Sequence, residues 1–177
     1  MKEFILGLDV STSRVGITIL NSNADLIECQ AIKLNSKDEL EIRCDQLKKY
    51  LKLNYNKYYI KEIYIESPFV MFSGGKTTAM TMAKLQRFNG MVCYMVRELY
   101  GIIPASIAAN KARGLVGLKI KRGEKTKLKV IEWVESQYPK DFIVEYTRHG
   151  NPKPGTDDMA DSVVIARAGL LIEKETK

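Results

Sequence analysis

Three strand patterns in the first 34 residues constrain the fold more than any other feature of the sequence. Glu3–Val10 is an apolar run that Asp9 interrupts, and Val15–Asn21 alternates between larger apolar side chains and other residues. Leu26–Leu34 follows the segment Asn21–Asp25, whose residue types are typical of a hairpin turn. Strands this close together in sequence indicate hairpin pairing. The sequence therefore predicts an antiparallel three-strand meander at the start of the chain.

Helices and strands alternate in the rest of the chain. Ser36 and Glu39 form a capping box that opens the first predicted helix. It is followed by a strand over Ile60–Glu66, a helix over Lys76–Tyr100 and a strand over Ile102–Ile107. Two helices complete the chain, one from about Glu124 to Tyr138 and one that Thr156 caps and that ends near Glu173. The order is βββαβαβ followed by two helices, with no interior linker or repeat. We therefore predict one α/β domain over residues 1–177, with a mixed five-stranded sheet flanked by helices.

The composition is that of a globular protein. Hydrophobic residues are 45% of the 177 residues and charged residues 28%, which excludes a disordered or collagen-like chain. No apolar run approaches the ~20 residues that span a bilayer, and the N-terminus lacks the pattern of a signal peptide. The three cysteines form no CxxC pair, so neither a zinc site nor a disulfide framework is indicated. We expect a cytoplasmic protein with no membrane segment.

The positive charge is concentrated in one stretch. Lys111–Lys129 holds eight basic residues and one acid, a sum of +7, which equals the formal charge of the whole chain. A basic stretch on an otherwise neutral domain indicates a polyanionic partner, with nucleic acid the first candidate. A solvated, lysine-rich surface loop is the alternative, and the charge pattern alone favours neither.

Four acids occupy unusual positions. Asp9 lies in an apolar strand, where a carboxylate is costly unless it is paired or binds a metal. Glu66 ends a strand, and Asp158 and Asp161 are three residues apart on one face of the last helix, with Asp157 as an alternative to Asp158. If the first and fourth strands are neighbours, these acids can meet at one point. Clustered carboxylates suit hard cations such as Mg²⁺, and two such ions can promote phosphodiester hydrolysis.

These residues carry a resemblance to a known family. Leu6–Asp9 with Ser13–Gly16, then Ile63–Glu66, then Asp158–Ala166 resemble, in order and spacing, the RuvC-type Holliday junction resolvases, and the compact phage members above all. The resemblance covers nearly the whole chain. It implies an RNase H-like fold and a homodimer that uses a divalent metal to nick opposed strands of a four-way DNA junction.

The resemblance also implies roles for individual residues. Asp9, Glu66, Asp158 and Asp161 would bind two Mg²⁺ ions, with Mn²⁺ able to substitute, and the helix over residues 76–100 would form the dimer. Phe69 would stack on a base at the crossover. Lys111 and Lys125 would lie near the phosphate backbone, and Lys125 would also act at the catalytic centre. Apart from the resemblance, the concentration of positive charge predicts that Arg113, Lys119, Lys121, Arg122 and Lys127 contact DNA, and the glycine-rich loop before the second helix adds Lys76. The segments 111–124 and 145–155 differ from the bacterial enzymes.

Other interpretations remain open at this point. Gly7–Ser13 also resembles the first phosphate loop of actin-like kinases, but those proteins need two such domains. Ser73–Thr77 matches the end of a Walker motif, but Val70 stands where that motif requires glycine. The basic segment would equally suit a module that binds branched DNA without cutting it. A broader nuclease that debranches DNA of several shapes is a further alternative.

Overall fold

The meander predicted at the start of the chain is present and forms more than half of a five-stranded sheet. The computed structural model describes residues 2–68 and 78–176. Through these residues the elements are β1 (Glu3–Val10), β2 (Arg14–Asn21), β3 (Leu26–Lys33), α1 (Leu40–Tyr55), β4 (Tyr59–Glu66), α2 (Ala79–Tyr100), β5 (Ala105–Ile107), α3 (Ala109–Leu115), α4 (Thr126–Gln137) and α5 (Thr156–Thr176).

The sheet is mixed, as predicted, and β1 lies at its centre. The strand order is β3-β2-β1-β4-β5. β1 pairs antiparallel with β2 and parallel with β4, and β4 pairs parallel with β5. The first and fourth strands, whose adjacency the sequence analysis gave as a possibility, are therefore neighbours.

Each face of the sheet carries its own apolar core, because successive side chains of a strand point to opposite faces. On one face, Leu6 and Leu8 of β1 belong to a cluster with Leu47 of α1 and Phe88 of α2. On the other face, Ile5 belongs to a cluster that buries α5, together with residues of α3 and α4. Helix α5 is thus packed between the sheet and two shorter helices. None of the helices that the structure describes is long and apolar enough to cross a membrane.

The first helix begins later than predicted. α1 starts at Leu40 after Glu39, which makes no capping hydrogen bond with its side chain, so the predicted capping box of Ser36 and Glu39 is wrong. The guanidinium of Arg43, which is 4% exposed, donates to the carbonyl oxygens of Ser36 (2.6 Å), Asp38 (2.9 Å) and Thr12 (2.6 Å). These bonds hold the residues before α1 in a turn and tie them to the β1–β2 connection.

Helix α2 begins at Ala79, after the extended residue Thr78, and not at Lys76 as predicted. The chain beyond α2 differs from the prediction in three further places. β5 starts at Ala105 because Pro104 has no amide hydrogen to donate to a neighbouring strand. Helix α3, which lies at the start of the basic segment, was not predicted. Thr156 is the first residue of α5 and its hydroxyl donates to the carbonyl of Lys153 (2.8 Å), so it does not cap the helix with its side chain.

Candidate active site

Asp9 and Glu66 lie at the same end of two adjacent parallel strands. The pairing of Leu8 with Ile65 is the last between β1 and β4, and the two acids each follow that pair by one residue. Neighbouring strands are about 4.8 Å apart, so the two backbones are close at this level. Asp9 is opposite Gly16 of β2, and both residues are on the face that α5 covers. The side-chain nitrogen Nδ2 of Asn89 on α2 donates to the backbone carbonyl of Glu66 (3.1 Å), and this bond fixes the end of β4.

Two glycines allow α5 to approach the sheet closely beside these acids. A Cβ atom added at Gly16 would lie 1.9 Å from the carbonyl oxygen of Asp158. One added at Gly7 would lie 2.6 Å from both the Cβ of Ala166 and the carbonyl oxygen of Ser162. No real Cβ atom tolerates such distances, so both positions require glycine. The glycines of the sequence motif therefore allow the helix that carries Asp158 and Asp161 to pack directly against the sheet.

A buried hydrogen-bond chain fixes the register of α5 on the sheet. The hydroxyl of Ser162 donates to the carbonyl of Met159 (2.7 Å) and shares a hydrogen bond with the hydroxyl of Thr18 (2.7 Å). Thr18 is also within 3.3 Å of the sulfur of Cys29. Burial raises the pKa of the Cys29 thiol to about 12, so this cysteine stays protonated and is a structural member of the chain of bonds.

The acids of the site are buried and close enough to raise one another's pKa. Burial raises the pKa of Asp9 well above its ordinary value, and the charges of Glu66 and Asp161 raise it further. Burial and the charge of Asp161 raise the pKa of Glu66 to about 7. Burial raises the pKa of Asp161 to about 6, although Arg113 opposes the shift. The structure thus brings Asp9, Glu66 and Asp161 into one electrostatically coupled group.

Asp157 and Asp158, the two acids in the first turn of α5, have pKa values that are shifted in opposite directions. Burial and the charge of Asp157 raise the pKa of Asp158, against the opposing charge of Arg14. Burial would also raise the pKa of Asp157, but the hydrogen bond and charge of Lys127, together with hydrogen bonds from backbone amides, outweigh that effect and hold the pKa below its ordinary value. Asp157 is therefore an ionised carboxylate held by Lys127, whereas Asp158 has the raised pKa that the coupled acids share.

Three basic residues from three different elements face this acidic group. Arg14, at the start of β2, places its Nη1 atom 3.6 Å from Oδ2 of Asp158. Lys127 of α4 binds Asp157, and Arg113 of α3 lowers the pKa of both Glu66 and Asp161. Lys127 and Arg113 were predicted to contact DNA, whereas the sequence analysis assigned no role to Arg14. Only its place in the Ser13–Gly16 motif drew attention to it.

The other predicted basic residues lie on the surface near the site. α3 and α4 both pack against α5, and Arg113 of α3 and Lys127 of α4 each act on acids of α5. Lys111 lies in α3, whereas Lys119, Lys121, Arg122 and Lys125 lie between α3 and α4, and all five are exposed. Lys125 precedes the first residue of α4 and, in the part of the chain that the structure describes, the lysine that reaches an acid of the site is Lys127 instead. Phe69 and Lys76 lie outside the described residues.

The donor atoms of the site suit a divalent cation. All four predicted ligands are carboxylates, which hard cations such as Mg²⁺ prefer, and a bound cation would relieve the crowding that raises their pKa values. Among residues 2–68 and 78–176, no group of three or more Asp, Glu, His or Cys side chains is already arranged to hold an ion. Loading would therefore require the carboxylates to turn toward one another.

The protein is similar to known proteins in structure and not in sequence. No protein-family model and no curated protein matches this sequence. The structure is similar to T. thermophilus RuvC in complex with a Holliday junction substrate, with a TM-score of 0.67 at 11% identity. That match covers 98% of this chain and 96% of the other.

Two further resolvase structures are similar over nearly the whole chain. The yeast mitochondrial Holliday junction resolvase Ydc2 matches with a TM-score of 0.59 at 15% identity, over 97% of this chain and 79% of the other. The fowlpox virus resolvase, solved with substrate Holliday junction DNA, matches with a TM-score of 0.51 at 14% identity, over 98% and 99%. The chain therefore has the RNase H-like fold of the RuvC-type Holliday junction resolvases.

Proposed function

We propose that this protein is a divalent-metal-dependent DNA endonuclease that cuts four-way junctions. One observation carries the proposal: Asp9 and Glu66 end adjacent parallel strands directly beneath the first turns of α5, where Asp161 and Asp158 add to the same acidic group. A buried group of like charges destabilises a fold, and carboxylates with strongly raised pKa values in one place are typical of functional sites. Its place in a resolvase-like fold favours phosphodiester hydrolysis.

The roles of the residues follow from their surroundings. Asp9, Glu66, Asp158 and Asp161 would hold Mg²⁺, or Mn²⁺ in its place, with two ions per site. When bound, the metal supplies Lewis-acid activation of water and stabilises the leaving oxygen. Asp9 orients the site, because its backbone pairs with Gly16 of β2 and directly follows the last residue that pairs with β4. Water attack would leave a 5′-phosphate and a 3′-hydroxyl.

The basic segment would bind the DNA backbone. Its exposed lysines and arginines flank α5, so a DNA strand that follows them passes the acidic group. Phosphate contacts of this kind supply affinity without sequence selectivity. The junction is the proposed substrate because two of the similar structures were solved with Holliday junction DNA.

A homodimer would place two sites on opposed strands of a two-fold symmetric junction. A groove of about 580 Å³ runs between α1 and α2 and is open at the surface of the described chain. Tyr94 in this groove is 63% exposed, and nothing lies within 4 Å of a Cβ atom added at Gly90. We propose this side of α2 as the dimer interface.

The proposal is tested with a labelled synthetic four-way junction, a linear duplex and a Y-fork, each with Mg²⁺ and with chelator. We expect paired nicks in the junction, which chelator abolishes. Asp9→Asn should cut at least about 100-fold more slowly, since it removes a metal-binding carboxylate, yet it should bind the junction as well as or better than the native protein. Asp141→Asn is the matched control, because Asp141 is exposed and its amide bonds to Tyr138, whose hydroxyl donates to Ala24 in the β2–β3 turn, at the opposite end of β2 from Gly16.

The possible outcomes separate the candidate functions. Cutting of every branched substrate would replace the resolvase with a broader debranching nuclease. Tight junction binding without cutting in any divalent metal would replace it with a binding module. Normal cutting by Asp9→Asn would show that the site is wrongly assigned.

A further inference from the structure

We propose that Arg14 competes with metal for Asp158, and that metal loading releases the Arg14 guanidinium to bind a DNA phosphate beside the site. This inference rests on the proposed function. It assigns to Arg14 a role that connects the metal-free state with the DNA-bound state.

The geometry of Arg14 combines a fixed backbone with a loosely held head group. Its amide donates to the Ser11 hydroxyl (3.1 Å), and that hydroxyl donates to the Arg14 carbonyl (2.8 Å). By contrast, the 3.6 Å between Nη1 and Oδ2 of Asp158 exceeds the length of a normal hydrogen bond. The guanidinium is therefore held to Asp158 mainly by charge attraction, which is readily exchanged.

Arg14 lies at the mouth of the site, where a phosphate could reach it. Its side chain is 24% exposed and that of Asp158 is 18% exposed. It passes the backbone of Gly155, since a Cβ atom added there would lie 3.3 Å from Cδ of Arg14. A guanidinium at this place can turn from the carboxylate to solvent without crossing the core, and its planar donors match the oxygens of a phosphate.

The other basic neighbours are arranged differently. Lys127 pairs with Asp157, which is outside the predicted metal-binding quartet, so metal loading would leave that pair intact. Arg113 accompanies Glu66 and Asp161, and its guanidinium donates to the side chain of Asn110. Of the ion pairs within the described residues, the Arg14 pair is the one that contains a predicted metal ligand.

A competing cation has a consequence that a purely structural residue would not produce. If Arg14 must leave Asp158 before metal binds, its removal should make metal binding tighter. A partly exposed ion pair contributes up to about 1 kcal/mol, which corresponds to about fivefold in affinity. Loss of the phosphate contact should at the same time slow junction cleavage at saturating metal.

The test is a calorimetric titration of the whole protein with Mn²⁺ in the absence of DNA. We expect Arg14→Gln to bind Mn²⁺ about fivefold more tightly than the native protein. Arg14→Lys keeps the positive charge and should stay within about twofold of native, since the Coulomb competition remains. Arg148→Gln is the matched control, because Arg148 is exposed and its Nε donates to His149 (3.0 Å), and it should not change the affinity.

The results distinguish this inference from the proposed function. Equal or weaker Mn²⁺ binding by Arg14→Gln, with clear binding by the native protein, would overturn the competition and leave the endonuclease proposal standing. Absence of Mn²⁺ binding by the native protein would overturn both. Tighter binding with an unchanged rate of junction cleavage at saturating Mn²⁺ would refute the phosphate contact.

Discussion

Gly16→Ala should displace the first turn of α5 and so move Asp158 and Asp161 relative to the other acids of the site. The added Cβ would lie 1.9 Å from the carbonyl oxygen and 2.5 Å from the carbonyl carbon of Asp158. Ordinary van der Waals contact needs about 3.4 Å, so the helix backbone or β2 must move by about 1.5 Å. Both belong to the main chain and neither can rotate away. Overpacking of this kind typically costs about 1–3 kcal/mol, which is about 3–10 °C in the melting temperature of a domain of this size.

Two measurements separate displacement of the site from simple loss of stability. The melting temperature is measured by circular dichroism with and without Mg²⁺, and junction cleavage is measured well below the melting temperature of the variant. We expect cleavage to fall by more than about tenfold while the protein is still folded, because an error of 1 Å in a catalytic group is costly. The control is Gly114→Ala, since nothing lies within 4 Å of a Cβ atom added there. Native stability and cleavage in Gly16→Ala would refute the close seating of α5.

Two further predictions concern charge. The raised pKa of Glu66, about 7, and of Asp161, about 6, means that the native state binds more protons than the unfolded state between about pH 4 and pH 7. The free energy of unfolding of the metal-free protein should therefore fall as pH rises through that window, and urea unfolding in the presence of chelator measures it. Glu66→Gln should reduce this fall in the free energy of unfolding by on the order of 2 kcal/mol. An unchanged pH slope in that variant would contradict the electrostatic coupling. Junction binding should weaken steeply with salt, and Lys119→Gln and Lys121→Gln should each reduce the slope of log affinity against log salt by about one; a slope equal to the native one would remove those lysines from the DNA path.

The parts of the fold that depend on local pattern were predictable from the sequence. The apolar strands with short turns predicted the meander, and the acid inside the first strand indicated the candidate site. The neighbouring positions of β1 and β4 were only one possibility at that point, and the structure confirmed it. These features share one property: each depends on residues close together in sequence, or on a residue type that is out of place where it stands.

The features that were missed depend on contacts between distant parts of the chain. Helix α3 has only seven residues and no capping side chain, so it exists because Ala112 is buried in the core that also contains α5. The start of α1 is set by Arg43, whose burial no periodicity would indicate. The ion pair of Arg14 with Asp158 joins the second strand to the last helix. No local propensity carries that information.

The position of Gly16 explains why stability and function oppose each other at this site. The glycine allows α5 to sit so close that its acids reach those of β1 and β4, and this closeness crowds like charges in a buried place. The apolar residues that follow on α5, among them Val163 and Ile165, are almost fully buried, and their packing offsets the repulsion. A chain that neutralised one acid would be more stable without metal and would lose the ligand. Under the proposed function, the destabilising acids are the catalytic part of the fold, and the glycines are the residues that make their closeness possible.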